Sequence, residues 1–278
     1  MNTLAMEPTY RVLLGEVTHF RILQVGCGGT GSALALALGG LAYHARPQGI
    51  RLELTLVDPD LIEAGNVGRQ SFAAGSAAGS IPKCVDLAAR LNAAYGLAVV
   101  AWPQPYSPAL GRRWLAGGGG ASRLNLLVDC VDNSAARQAM AHTLQAPAGR
   151  GAGRLWQLSC GNERVNGQVL LGSTQQPEQI RFDDLGLCSG LPYPYLQEPG
   201  LLEEAADAGA VSCAAMAQAE AQALMVNRLV AAVAVQLVAE MVLQQQVTQM
   251  GAYFSLSPLA MRAVLVTRRA VQSSAKPD

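Results

Sequence analysis

The chain has 278 residues with 20 acidic and 20 basic side chains, and only 14% of its residues are charged. This balance argues against a broad nucleic-acid-binding surface, which depends on many Lys and Arg contacts to phosphates. The length suits one large domain, and we expect no nucleic-acid partner.

The first predicted strand, Arg21–Val25, runs directly into a glycine-rich turn and then into a predicted helix from Ser32 to Leu41. The N–H groups at a helix N-terminus bind anions, and glycine lets the backbone approach a phosphate closely. The sequence therefore predicts a phosphate-binding cradle, whose candidate ligand-binding residues are Gly26, Gly28, Gly29 and Gly31.

The spacing of this turn does not identify the ligand. Gly26, Gly28 and Gly31 satisfy the dinucleotide fingerprint G-x-G-x-x-G. The second predicted strand, Leu52–Val57, ends in Asp58, where a ribose-binding acid is expected. An NAD enzyme and an ATP enzyme fit this pattern equally well, and a glycine turn without any ligand is the third interpretation.

Strand-like and helix-like segments continue to alternate through the first half of the chain. They comprise a helix from about Pro82 to Tyr95, strands at Ala98–Trp102 and Leu124–Val128, and a helix from about Ser134 to Gln145. This alternation predicts an α/β fold with a Rossmann-like, doubly wound, mostly parallel sheet. Near the C-terminus, two further strands, Ala252–Leu256 and Ala263–Thr267, predict an antiparallel extension.

The segments between these elements are less regular. From about residue 173 to 210 no hydrophobic period is sustained, which predicts a long irregular loop of the kind that is often functional. The apolar stretch Ala221–Leu243 is long enough for a membrane span, but it contains Asn227, Arg228 and Glu240, and charges inside a span are costly. We therefore expect a core helix and no membrane association.

The N-terminal residues lack the basic and apolar pattern of a secretory signal, and none of the six cysteines forms a C-x-x-C pair. We expect a reduced, cytoplasmic setting and no paired-cysteine zinc site.

Several polar residues that follow the strands favour ATP over a nicotinamide cofactor. They are Asp60, Asn66, Arg69, Gln70, Lys83, Asp132 and Asn133. Lys83 stands at a predicted helix start, where the dipole already favours anions, so a cation there makes sense if it shares a phosphate. Asp132 follows a strand at the sheet edge where ligands of doubly wound folds bind, and its carboxylate suits Mg²⁺.

Four of these residues also have an interpretation that needs no ligand. Arg69 and Lys83 would be solvated surface charges, and Asn66 would be a turn residue. Asp132 would be the N-cap of the helix that carries Arg137. Their combined order along the chain, rather than any one of them, favours a triphosphate site.

Taken together, the motifs resemble the ubiquitin-activating enzyme superfamily, in its bacterial ThiF/MoeB branch. The matching segments are Gly26–Ser32, Val57–Asp60, Asn66–Gln70, Gly79–Lys83 and Asp129–Arg137, and the resemblance covers residues 20–170 well. The first and third of these segments are most similar to the ThiF-like proteins of PRTRC gene cassettes.

The resemblance implies an enzyme that uses ATP and Mg²⁺ to adenylate the C-terminal glycine of a small ubiquitin-like or sulfur-carrier protein with a diglycine tail. It implies one adenylation domain over residues 1–278, with a nucleotide-binding core at 20–170, an irregular crossover loop at 173–210, and a long helix plus closing strands at 211–270. It also implies a homodimer. An NAD(P)-dependent oxidoreductase and a non-catalytic nucleotide-binding scaffold are the alternatives.

The same analogy assigns roles to individual residues. Asp58 would hold the ribose. Asn66, Arg69 and Lys83 would hold the phosphates, and Asp132 would hold the metal. The candidate catalytic residues are Arg69, Lys83 and Asp132, and an arginine from a neighbouring subunit, for which Arg11 is a candidate, often completes the site in this family.

Some family members pass the activated carboxyl group to a cysteine, and two cysteines are candidates here. Cys213 lies at the predicted start of the long helix after a possible N-cap, Ser212, and a helix N-terminus lowers a thiol pKa. Cys188, in the irregular segment, is the alternative candidate. The third interpretation is that neither is catalytic, because free cysteines commonly pack in cores.

Overall fold

A computed structural model describes residues 7–116, 120–145, 154–203 and 213–274, without the side chains of residues 213–224. The strands are β1 (Val12–Leu13), β2 (His19–Val25), β3 (Arg51–Val57), β4 (Val100–Trp102), β5 (Arg123–Asp129), β6 (Arg154–Asn162), β7 (Asn166–Gly172), β8 (Gln246–Val247), β9 (Gln249–Leu256) and β10 (Leu259–Leu265). The helices are α1 (Gly29–Ala45), α2 (Ala74–Ala78), α3 (Lys83–Tyr95), α4 (Pro108–Ala116), α5 (Ser134–Gln145), α6 (Pro194–Gln197), α7 (Cys213–Ala239) and α8 (Arg268–Ser273).

The main sheet of the described residues has eight strands in the order β10-β9-β7-β6-β5-β2-β3-β4. Strands β4, β3, β2, β5 and β6 pair in parallel, and β7, β9 and β10 add to the β6 edge in antiparallel pairs. The predicted mostly parallel sheet with an antiparallel C-terminal extension is confirmed. The short strands β1 and β8 form a separate antiparallel pair.

Helices cover both faces of the parallel strands, and each strand sends alternate side chains into two separate cores. Phe20 and Ile22 of β2 pack with α1, α3 and α7, whereas Leu23 and Val25 pack on the opposite face with α4 and α5. A strand buried on both faces needs a continuous apolar run, which is why β2 and β5 were visible in the sequence. The doubly wound arrangement is confirmed.

The β6–β7 hairpin and α4 were not predicted. In β6, polar Gln157 and Ser159 interrupt the apolar pattern because both donate hydrogen bonds to the buried carboxylate of Asp129 on the neighbouring strand. The polar positions are therefore satisfied in the core rather than exposed to water.

Helix α7 begins at Cys213, as expected, and continues beyond Ala239 as one π-helical turn, Glu240–Gln244. Within the described residues, Met225–Gln244 is the one helical stretch long and apolar enough to cross a membrane. Its apolar side packs against α1, β6 and β7, where Val226 and Val230 are fully buried, which supports the core-helix interpretation. The preceding segment, 173–203, contains the short helix α6 and no strand of the main sheet, and 204–210 lie outside the described residues.

Candidate active site

The carboxyl ends of β2, β3 and β5 open into one large cleft of about 1520 Å³. Ligands of doubly wound sheets bind at this edge. Ten of the predicted site residues line the cleft: Gly26, Gly28, Gly29, Asp58, Asp60, Arg69, Gln70, Lys83, Asp132 and Asn133. Two predicted contacts, Gly31 and Asn66, are not among the lining residues.

The glycines of the turn serve different purposes. Gly26 has φ +93°, and a Cβ there would stand only 2.5 Å from the carbonyl oxygen of Cys130. A Cβ on Gly31 would overlap the carbonyl oxygen of Gly26, so glycine is needed there for the close packing of the turn, and Gly31 does not line the cleft. A Cβ on Gly28 would meet nothing within 4 Å, so a side chain there would project into open space.

The open position at Gly28 lies at the N-terminus of α1. Gly28 is the N-cap, no side chain caps the helix, and its first turn carries no acid. The N–H groups of the first helical turn therefore have no intrahelical acceptors and attract an anion. Helix α1 begins at Gly29, three residues before the predicted Ser32, which places these N–H groups within the glycine turn itself.

Asp58 fixes the geometry between the ends of β2 and β3. Its carboxylate accepts hydrogen bonds from the backbone N–H of Cys27 at 2.5 Å and of Asp60 at 2.8 Å, and the residue is only 5% exposed. Burial raises the pKa of this carboxyl, while the two backbone donors offset part of that shift. The carboxylate is thus held at the cleft, next to the glycine turn.

Lys83 begins α3, as predicted, and its side chain lies inside the cleft with the residue only 8% exposed. Its ammonium contacts the Asp60 carboxylate at 2.8 Å, and its backbone N–H donates to the Asp60 carbonyl oxygen. The interpretation of Lys83 as a solvated surface charge is therefore wrong. The Asp60 carboxylate holds the cation at the cleft and is itself 63% exposed.

Asp132 is exposed at the cleft and is not the cap of α5. That cap is Asn133, whose Oδ1 accepts the N–H of Ala136 at 2.9 Å. Arg137 of α5 contacts both the carbonyl oxygen of Val131 and the buried carboxylate of Asp129, and so fixes the loop between β5 and α5. The Asp132 carboxylate lies on this fixed loop and faces the cleft.

The fit of this site to Mg²⁺ depends on a nucleotide. No group of three or more His, Cys, Asp or Glu side chains that could hold a metal occurs within the described residues. Mg²⁺ is commonly bound through one or two carboxylates together with substrate phosphates. Asp132 at the cleft matches that pattern and does not match a metal cage made of protein ligands alone.

The residues after Asp60 have two kinds of role: some stabilise a turn, and others line the cleft. Asn66 accepts the N–H of Glu63 through Oδ1 at 3.0 Å and stays buried, so the turn role describes it better than the predicted phosphate contact. Arg69 donates from Nε to the carbonyl oxygen of Gly65 and lines the cleft. Gln70 also lines the cleft, and its Oε1 is buried without a hydrogen-bond partner.

The two candidate nucleophiles have different outcomes. Cys188 is buried, its thiol donates to the carbonyl oxygen of Gly190 at 3.4 Å, and burial raises its pKa to about 11. The thiol is therefore protonated at neutral pH, and Cys188 is corrected to a packing residue. The side chain of Cys213, like the cap residue Ser212, lies outside the described residues. Arg11 is exposed and does not line the cleft.

The cleft has two halves. The near half is lined by the glycine turn, Asp58, Lys83 and Asp132, and the sequence did not predict the other half, which we call the far half. Its walls are β7, β9, β10 and the segment before residue 204, and its polar lining residues include Asn162, Gln168, Glu198, Asn227, Tyr253 and Arg262. Asn227 joins this half to the cradle, because its Oδ1 accepts the hydroxyl of Thr30 at 3.0 Å. The one signal in the sequence was the polar Asn227 within an apolar helix.

A model of the ThiF family matches residues 12–274. Among solved structures, Escherichia coli MccB with ATP matches with a TM-score of 0.56 and 11% identity, covering 92% of this chain and 66% of that one.

MccB with selenomethionine MccA matches with a TM-score of 0.54 and 12% identity. Selenomethionine PaaA matches with a TM-score of 0.53 and 15% identity, and both have the same coverages as above. The chain thus spans 66% of the length of these structures. No curated protein matches this sequence.

Proposed function

The chain belongs to the ThiF family, and from that premise we propose that it adenylates the C-terminal glycine of a small ubiquitin-like or sulfur-carrier protein, using ATP and Mg²⁺. The observation that carries the proposal is the assembly of one cleft from an uncapped glycine turn, the cations Arg69 and Lys83, and the carboxylate of Asp132. A nicotinamide cofactor gives these three side chains no task.

The near half of the cleft matches the needs of a nucleoside triphosphate. The phosphates would rest over Gly28, where no Cβ intrudes, and the N–H groups of α1 would face them. The exposed part of the Asp58 carboxylate would accept a ribose hydroxyl, as acids at this position do in nucleotide-binding folds. The fold neighbour MccB has been solved with ATP and with AMPCPP, which supports the nucleotide class.

The chemistry needs positioning and charge neutralisation rather than a nucleophile from this chain. One carboxylate oxygen of the partner protein attacks the α-phosphorus, the bond to the bridging oxygen breaks, and pyrophosphate leaves with the electron pair. Lys83 and Arg69 would neutralise the charge that builds on the leaving oxygens. Asp132 would hold Mg²⁺, which would supply positive charge that lessens the repulsion among the phosphates.

The far half of the cleft would receive the tail of the partner. A volume of about 1520 Å³ exceeds the 300–1,000 Å³ typical of small-molecule pockets, so room remains for a second substrate. MccB has been solved with MccA, which supports a peptide or small-protein partner. The diglycine tail, a PRTRC-type role, a homodimer, a cytoplasmic location and thioester transfer to Cys213 all remain part of this proposal.

The test is ATP–pyrophosphate exchange with a small ubiquitin-like protein that ends in diglycine. We expect exchange that requires both the protein and Mg²⁺ and that falls at least 100-fold in Asp132→Ala. Asp184→Ala, which removes an exposed carboxylate outside the cleft, serves as the matched control and should behave as wild type.

Two outcomes would contradict the proposal. ATP binding without exchange would leave a nucleotide-binding scaffold. Tight binding of NAD(P) in preference to ATP, measured by calorimetry, would favour an oxidoreductase.

A further inference from the structure

A second groove lies at the opposite end of the sheet, beside the N-terminal half of β3. Strand β3 has seven residues but β4 has three, and their ladder begins only at the pair Thr55 and Val100. Within the described residues, Arg51–Leu54 therefore have no strand on that side. A groove of about 820 Å³ opens there, between Arg51–Thr55 and Gly96–Val100. We name it the edge groove.

The groove is held open by a side chain. Asn92 of α3 receives the backbone N–H of Val99 at 2.7 Å and donates to the carbonyl oxygen of Val99 at 3.1 Å. Both backbone groups of Val99 are thus satisfied by Asn92 instead of by β3. The segment that would extend β4 is kept off the sheet, and within the described residues the β3 edge has no strand partner from Arg51 to Leu54.

The lining of the edge groove is strongly basic. Four arginines line it, namely Arg21, Arg46, Arg51 and Arg113, against a single acid among its described lining residues, Glu53. That carboxylate already contacts Arg51 at 2.6 Å and Arg21 at 3.5 Å, so its charge is spent within the protein. The groove therefore offers a net positive field to an incoming chain, although the protein as a whole is neutral.

We propose that the edge groove binds an extended acidic segment of another protein, which pairs with Arg51–Leu54 as an added strand. Strand addition draws affinity from main-chain hydrogen bonds and specificity from alternate side chains, which here would be carboxylates facing Arg51 and Arg113. Four residues of β3 offer a pairing length of about 13 Å. The site lies at the amino ends of the strands, away from Asp58 and the nucleotide cleft, so it is independent of the proposed adenylation.

The first test measures binding of a fluorescein-labelled eight-residue peptide that alternates valine with glutamate. Fluorescence anisotropy should show saturable binding that weakens as salt rises, because exposed charge pairs are screened. A peptide with lysine in place of glutamate should not bind. Arg113→Glu should weaken binding about tenfold, and Arg181→Glu, an exposed arginine outside the groove, should leave it unchanged.

The second test uses hydrogen exchange to establish that the peptide adds as a strand. Peptide binding should protect at least one backbone amide between Leu52 and Leu54, with the cleft residues unaffected. Absence of binding would overturn the proposal. Equal binding of single-stranded DNA without protection at β3 would replace it with a general polyanion site, and protection that rises with protein concentration alone would assign the groove to a second copy of this chain.

Discussion

The two halves of the cleft are built on different principles. The near half takes its polar groups from turns that directly follow parallel strands, so Gly28, Asp58 and Asp132 lie together because the strand ends do. The far half takes Asn227 from a helix and Tyr253 and Arg262 from antiparallel strands far along the chain. The near half is a local design repeated at neighbouring strand ends, whereas the far half exists only after the whole chain has packed.

Among tests of the difference between the two halves, the largest effect on activity is expected from Lys83, in the near half. Lys83→Met removes the cleft ammonium and should lower the exchange rate by about 10²–10³, the usual loss when one charge-stabilising donor is deleted. Stability should change little, because the released Asp60 carboxylate is 63% exposed and becomes hydrated. Parallel measurement of exchange kinetics and thermal unfolding checks both parts, and a large fall in Tm would instead make Lys83 a structural residue.

The next effect compares Gly28, in the glycine turn at the cleft, with Gly75, which lies outside the cleft. Gly28→Val places a side chain in the open space over the helix N-terminus and should weaken ATP binding about 100-fold by calorimetry, with only a small loss of stability because valine is a poorer N-cap than glycine. Gly75→Val, in which the added Cβ also meets nothing within 4 Å but lies outside the cleft, is the matched control. Unchanged ATP affinity in Gly28→Val would place the phosphates elsewhere.

A smaller effect concerns the support beneath the near half. Burial raises the folded-state pKa of Asp129, so this group favours the folded state below its ordinary pKa and loses that contribution as pH rises through the raised value. Relative to Asp129→Asn, the wild type should therefore lose stability with rising pH, by about 1.4 kcal/mol for each unit of pKa difference. Urea denaturation from pH 4.5 to 8 measures this, and a pH-independent difference would contradict it.

The smallest effect is expected in the far half. The hydroxyl of Tyr253 donates to Glu198 at 3.3 Å, and burial raises its pKa to about 12, so it stays protonated throughout the assay range. Tyr253→Phe removes a hydrogen bond of about 1 kcal/mol that holds Glu198 at the wall of the far half, so we expect a roughly fivefold higher KM for the partner protein and an unchanged ATP affinity. An equal change in the ATP constant would show that the two halves do not act separately.

The sequence predicted the near half well because its signals are local. The glycine turn, Asp58 and the helix start at Lys83 each depend on neighbours within a few residues, and the structure confirms where they lie. Local signals failed where a residue had two suitable uses. Asn133 rather than Asp132 caps α5, and Gly31 packs against the turn instead of facing the cleft.

The far half was not predictable in the same way. Gln157 and Ser159 made β6 read as a poor strand, because their buried partner, Asp129, lies 28 and 30 residues earlier. Asn227 lies nearly 200 residues from Thr30, and nothing near it in the chain indicates that contact. Polar residues whose partners are distant in sequence carry no periodic signature, so only the packed structure reveals them.

The contact of Asn227 with Thr30 has a consequence for how the two substrates communicate. The hydroxyl belongs to the first turn of α1 and the amide to α7, so a shift of the glycine turn under a bound anion would act on a wall of the far half through this hydrogen bond. Thermodynamic linkage is reciprocal, so a tail that moves α7 must change nucleotide affinity by the same factor that the nucleotide changes tail affinity. Communication between the two substrates would then need no mobile lid, only the hydrogen bond that joins α1 to α7.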